Sequence, residues 1–114
     1  MPTPDSVLLI TRNGMGEADP ELKIKLITTY FRLIDEADML PAVICFYAEG
    51  VHLVVEGSPV LDSLQSMEEK GVRLIICNTC LNFYELSEKV AVGITGGMTD
   101  IIEAQYRAAK VITL

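Results

Sequence analysis

The stretch that decides the fold is GVRLIICNTC, residues 71–80. Gly71 is a typical C′ glycine at the end of a preceding helix. Val72–Ile76 is an aliphatic, β-branched run of strand length, and Cys77 stands directly after it. The residues from there to about Leu86 have helical spacing. We therefore predict a strand that passes into a helix at Cys77.

On either side of this junction, short apolar runs alternate with helical patterns. The other predicted strands are Val7–Ile10, Ala42–Tyr47, Val90–Ile94 and Val111–Leu114. The other predicted helices begin at Asp19-Pro20, at Ser58-Pro59 and at Thr99 or Asp100, and end near Ala37, Lys70 and Ala109. The segment Val51–Val55 is apolar all round, so its pattern fits a short helix or a strand.

Five strands separated by helices predict an α/β protein, a three-layer α/β/α domain over residues 1–114 with a parallel five-stranded sheet. In open parallel sheets, ligands bind beyond the carboxyl ends of the strands. Here those ends are Thr11–Gly16, Ala48–Gly57, Cys77–Cys80 and Thr95–Thr99. The four loops therefore mark one edge of the sheet as the place for a functional site.

Composition excludes several classes of partner. The net charge is −7 over 114 residues, which disfavours binding to nucleic acid or to an anionic membrane surface. No apolar run approaches the ~20 residues that span a bilayer, and Met1–Asp5 has no signal-peptide features. Three cysteines are an odd count for disulfides, so we expect reduced thiols and a cytoplasmic protein. The mean hydropathy of +0.36 indicates apolar surface that a subunit interface would cover.

Cys77 and Cys80 are the predicted catalytic residues. A thiol at a strand–helix junction lies near unpaired N–H groups and the positive end of the helix dipole, which favour thiolate. Asn78 is the predicted N-cap, and the backbone from Asn78 and Thr79 onward is predicted to stabilise the anion. Cys80 lies one helical turn further on, where it would resolve a sulfenate or a persulfide. The alternative is that both cysteines simply fill space in the core.

Other residues are weaker candidates. Cys45 stands mid-strand and is interpreted as core; a zinc site would need all three cysteines and His52, so we expect no metal and no cofactor.

His52 lies after the second strand, as a packed histidine or a proton-transfer group. Arg12 is a candidate countercharge for the thiol. The glycine loops lack the spacing of nucleotide-binding motifs and are read as tight turns. The remaining candidate site-lining residues are Gly14, Met15, Gly16, Gly96 and Gly97.

The strand–cysteine junction, together with Glu56-Gly57-Ser58, Met15-Gly16 and the C-x-T-C-L-x-F-Y run from Cys77, resembles the DsrE/DsrF-like family. Within it, the chain most resembles the C-terminal domain of YedF-type, sulfurtransferase-like proteins of selenium metabolism. The resemblance implies an α/β/α fold, assembly into trimers or hexamers, and a cysteine that carries sulfane sulfur as a persulfide. Cys77 falls on that position, whereas Cys80 has no counterpart in many members.

Three functions follow as hypotheses. The first is a cytoplasmic sulfur-transfer protein, linked by the resemblance to selenium metabolism, with a sulfur donor or acceptor protein as its partner and a homo-oligomeric assembly. Here Cys77 accepts the sulfur and Cys80 is the resolving thiol. The second is a thiol–disulfide redox module that uses the same two cysteines. The third is a non-catalytic oligomeric scaffold or small-ligand-binding protein.

Overall fold

A computed structural model describes the backbone of residues 3–114 and the side chains of residues 5–114. Met1 and Pro2, part of the Met1–Asp5 segment in which no signal peptide is expected, lie outside the described residues. The strands are β1 (Thr3–Ile10), β2 (Pro41–Phe46), β3 (Arg73–Cys77), β4 (Ile94–Gly96) and β5 (Lys110–Thr113). The α-helices are α1 (Pro20–Glu36), α2 (Leu61–Glu69), α3 (Asn78–Phe83) and α4 (Met98–Arg107), and Ala48–Val54 forms a 3₁₀ helix.

The strands form one parallel sheet in the order β4-β3-β2-β1-β5. Successive connections from β1 to β4 step across the sheet in one direction, and the β4–β5 connection returns across it. Right-handed crossovers therefore place α1 to α3 on one face and α4 on the other. The predicted α/β/α fold with a five-stranded parallel sheet is confirmed.

The two faces of the sheet bury different amounts of apolar surface. The first core cluster contains Phe31 of α1, Leu64 of α2 and Leu81 of α3, together with the 3₁₀ helix. The second cluster is smaller and contains Cys45, Ile75 and Cys77 under Ile101 and Ala104 of α4. Because α4 runs from one edge of the sheet to the other, this single helix is the helical cover of the second face.

Strand β4 corrects one prediction. The run Val90–Ile94 was expected as a strand, but β4 is Ile94–Gly96. Val90 makes only an isolated antiparallel bridge with Val55. Gly93 has a φ of +84°, which interrupts the extended conformation between the predicted run and the strand that pairs with β3.

Helix boundaries also differ from the pattern. Helix α2 begins at Leu61, because Ser58 and Pro59 lie in a turn in which the Val60 N–H donates to Ser58 Oγ over 3.3 Å. Helix α4 has Gly97 as its N-cap instead of Thr99 or Asp100. The Asp100 side chain accepts the Gly97 N–H at 2.9 Å, so the aspartate still satisfies the helix start.

The helix after β3 is shorter than predicted. It ends at Phe83 rather than near Leu86, and its N-cap is Cys77 itself rather than Asn78. Segment Val51–Val55, left open by its pattern, belongs mostly to the 3₁₀ helix. None of the helices in residues 3–114 combines the length and the apolar character needed to cross a membrane.

Candidate functional site

Cys77 is the last residue of β3 and lies at the carboxyl edge of the sheet. Its partner on the neighbouring strand is Gly96, and its side chain belongs to the second core cluster. Only 1% of Cys77 is exposed to solvent. The thiol therefore sits beneath the surface, one strand in from the β4 edge.

Cys80 follows within α3 and is partly exposed. It packs against both core clusters, and its thiol forms a side-chain hydrogen bond with Cys77. The Ala48 N–H donates to Cys80 Sγ at 3.1 Å. The site is thus a pair of adjacent thiols, one buried and one accessible, with a backbone donor on the accessible sulfur.

Ala48 owes its position to the junction between β2 and the 3₁₀ helix. Its φ is +51°, in the left-handed region that alanine rarely adopts. On either side, the Tyr47 N–H donates to Ile10 O at 3.1 Å, and the Gly50 N–H donates to Tyr47 O at 2.9 Å. Gly50 lies so close to Ile10 that a Cβ would overlap its carbonyl group. This packing against β1 fixes the backbone that presents the amide to Cys80.

An aromatic contact borders the thiol pair. The His52 ring, on the 3₁₀ helix, stacks edge-on against Tyr84 with 4.6 Å between ring centroids. His52 Nδ1 lies 2.9 Å from the Glu49 carbonyl oxygen, so the neutral ring can donate there. His52 is therefore held between its own helix and the residue that ends α3, and its proposed part in proton transfer stays a prediction.

The pKa values of Cys80 and Cys45 are both raised, for identifiable reasons. Burial raises the pKa of Cys80, the hydrogen bond with Cys77 raises it further, and the Ala48 N–H acts in the opposite direction. Burial also raises the pKa of Cys45 to about 11, against a smaller opposing effect of the Arg73 charge. Cys45 is fully buried between its neighbours in β2, as its interpretation as a core residue requires.

The DsrE/DsrF-like family model matches residues 6–114. The chain belongs to the DsrE/DsrF-like family. Three solved structures share its fold. YchN from E. coli has a TM-score of 0.69 at 13% identity and covers 96% of this chain and 99% of its own. MTH1491 from Methanobacterium thermoautotrophicum has a TM-score of 0.70 at 18% identity, with coverage of 98% and 100%.

The third structure is BT1422, a conserved protein of unknown function from Bacteroides thetaiotaomicron. It has a TM-score of 0.68 at 12% identity and covers 96% of this chain and 95% of its own. No curated protein matches the sequence significantly. At these identities the three structures show the fold alone. The chemistry has to be argued from the residues of this chain.

In this DsrE/DsrF-like chain, the loop after β1 turns onto α1. Gly14, with φ +135°, is buried against the Lys23 backbone, and Met15 packs on the first core cluster. Arg12 pairs with Glu17 at 3.4 Å. Arg12 and Gly16 share a hollow of about 270 Å³ with Glu49, the residue after Ala48.

The remaining predicted residues lie close to the thiols in the sequence or in the sheet. Asn78 and Thr79 form the exposed first turn of α3, and the hydrogen bond to Cys80 Sγ comes from Ala48 instead. Their part in stabilising the anion stays a prediction. Gly96 pairs with Cys77, and Gly97 begins α4. Sequence reasoning missed Ala48, because an alanine with positive φ has no sequence signature.

Within the part of the chain that the structure describes, no three His, Cys, Asp or Glu side chains converge as ligands.

Proposed function

We propose that this protein accepts and passes on sulfane sulfur at the Cys77–Cys80 pair. The observation that carries the proposal is the contact between the two thiols at the carboxyl edge of the sheet, with the Ala48 N–H donating to Cys80 Sγ at 3.1 Å. Membership of the DsrE/DsrF-like family, which is associated with sulfur relay, supports it. The protein would act in the cytoplasm, where thiols remain reduced.

The chemistry is a thiol exchange. A cysteine thiolate attacks the terminal sulfur of a donor persulfide, R–S–SH. A new S–S bond forms on the cysteine, the S–S bond of the donor breaks, and its electron pair leaves with R–S⁻. The cysteine persulfide then gives its terminal sulfur to an acceptor thiolate by the same step. No external oxidant is consumed, because one sulfane sulfur changes carriers.

The test is sulfur loading measured by intact-protein mass spectrometry after incubation with glutathione persulfide. Wild type is expected to gain the mass of one sulfur atom. The double variant Cys77→Ala/Cys80→Ser is expected to form no such adduct. Cys45→Ala, which removes a buried thiol outside the pair, is the matched control and should load normally. A double variant that loads as wild type does would disprove the proposal. The same assay with a donor that carries selenium in place of the terminal sulfur, R–S–SeH, tests the link to selenium.

The contact between the thiols also supports a second candidate, a thiol–disulfide redox module. That function requires Cys77 and Cys80 to close a disulfide under mild oxidant, with a loss of two free thiols. It predicts no adduct from the persulfide donor. The loading assay and a thiol count with a chromogenic disulfide reagent together separate the two candidates.

The outer face of α4 supports the proposal of a homo-oligomer. Met98, Ile102 and Tyr106 are spaced four residues apart and are 52%, 48% and 87% exposed, while Ile101 and Ala104 on the inner side are buried. Ile94 of neighbouring β4 is also exposed. We propose that this stripe contacts other copies of the chain in a trimer or hexamer.

Ile102→Asp is accordingly expected to reduce the assembly to monomers, because it introduces a charge into the centre of the stripe. Light scattering with size-exclusion chromatography gives the mass. Leu26→Asp, on the exposed face of α1, is the control and should keep the wild-type mass. A wild-type mass equal to one chain, at tens of micromolar protein, would refute the proposal.

A further inference from the structure

Access to the two thiols is unequal. Cys77 is 1% exposed and is enclosed in the second core cluster, beneath α4. Cys80 is partly exposed at the surface of α3. A donor persulfide must bring its terminal sulfur to bonding distance of the attacking sulfur, and Cys80 is the thiol that it reaches without opening the core.

We propose that Cys80 is the thiol that receives the sulfur, and that Cys77 attacks the loaded Cys80 from the buried side and releases the sulfur as hydrosulfide when no acceptor thiolate takes it. This order reverses the one expected from the sequence, where Cys77 receives and Cys80 resolves. It rests on the proposed function and assigns a separate task to each member of the pair.

The backbone around Ala48 supports this order. Its N–H points at Cys80 Sγ over 3.1 Å, and a hydrogen bond to a thiolate stabilises the charged form. The amide belongs to a segment fixed against β1 by the Tyr47–Ile10 hydrogen bond and by the close packing of Gly50. The donor therefore lies in place before sulfur arrives, and it acts on the accessible thiol.

Contact between the thiols supports the second step. Cys80 packs against the buried core cluster to which Cys77 belongs, so the Cys77 sulfur lies on the inner side of the atom to be attacked. The Cys77 sulfur attacks Cys80 Sγ of the persulfide anion, and the Cys77 proton passes to the departing terminal sulfur. The Cys77–Cys80 S–S bond forms, the bond from Cys80 Sγ to the terminal sulfur breaks, and hydrosulfide leaves with the electron pair. The two cysteines are oxidised to a disulfide, and the sulfane sulfur is reduced to sulfide. A small-molecule or protein dithiol then reduces the disulfide by thiol exchange and returns both cysteines to thiols.

The experiment compares Cys77→Ala with Cys80→Ser, using glutathione persulfide as donor. Alanine suits position 77 because a buried hydroxyl would lack a partner. Cys77→Ala is expected to load one sulfur and to hold it roughly tenfold longer than wild type, with sulfide release reduced in proportion. Cys80→Ser is expected to load sulfur at roughly one tenth of the wild-type rate or below, because the remaining thiol is buried.

Other outcomes would overturn the inference alone or the proposed function with it. If Cys80→Ser loads at the wild-type rate while Cys77→Ala does not load, the inference is wrong and the proposed function stands. If wild type takes up no sulfur, the proposed function fails and the inference fails with it. Alkylation of native wild type with iodoacetamide, followed by peptide mapping, gives an independent readout that needs no variant to fold. It should modify Cys80 first, and modification of Cys77 first would overturn the inference.

Discussion

Gly50→Ala is expected to destabilise the protein by about 2–4 kcal/mol. The added methyl group would overlap with the Ile10 carbonyl, which is backbone at the end of a central strand and cannot move aside as a flexible side chain can. Relief of the overlap requires the 3₁₀ helix to withdraw from β1. That movement also carries the Ala48 N–H away from Cys80 Sγ, so sulfur loading should fall together with stability.

Denaturant unfolding measures the first effect, and the loading assay measures the second. Gly97→Ala is the matched control, because a Cβ at Gly97 meets no atom within 4 Å and the backbone there is not left-handed. It should lose about 1 kcal/mol or less as an N-cap change, because glycine is a better N-cap than alanine. A Gly50→Ala protein as stable as wild type would mean that the 3₁₀ helix is not held against β1 in the way described.

The second large effect is a loss of stability at alkaline pH caused by Cys45. This thiol is fully buried and its pKa is raised to about 11 from an ordinary value of 9.0. Between these pH values the native thiol stays protonated while the unfolded one ionises, so the unfolded state binds fewer protons and stability falls as pH rises. The full contribution is present below about pH 9, and about 2–3 kcal/mol is lost by about pH 11.

Urea unfolding from about pH 7 to about pH 11 measures this slope. Cys45→Ala is less stable at neutral pH by about 1 kcal/mol, because it leaves a small cavity, but its stability should decline less above about pH 9. The stability difference between the two proteins should be constant below that pH, where the Cys45 thiol is protonated in both the native and the unfolded wild type. Parallel curves over the whole range would show that Cys45 does not titrate on unfolding.

The sequence was sufficient for features that depend on local chemistry. The aliphatic run Val72–Ile76 predicts a strand, and the structure has it at Arg73–Cys77. Asp19-Pro20 starts α1 because a fixed proline φ and a missing N–H suit a first helical turn. The burial of Cys45 followed from its position mid-strand in a run without polar residues. These features depend on neighbouring residues in the sequence more than on distant contacts.

Features that depend on distant contacts could not be predicted. Strand β4 uses Gly96 because it pairs with Cys77 at an open edge, and a short glycine-containing segment has no strand propensity of its own. The hydrogen bond to Cys80 Sγ crosses 32 residues to Ala48. The exposure of Cys80 and the burial of Cys77 depend on where α4 lies, which the spacing of two cysteines does not determine.

The place of β5 beside β1 has a consequence for biosynthesis. Ser6 pairs with Lys110, 104 residues later (110 − 6), and Leu9 pairs with Thr113. While the ribosome is still making residues 11–109, one edge of β1 has no partner, and the face that α4 covers is open to other chains. An unpaired strand edge and uncovered apolar surface favour aggregation. The interval before α4 and β5 have docked is therefore the stage at which this chain is most prone to aggregate.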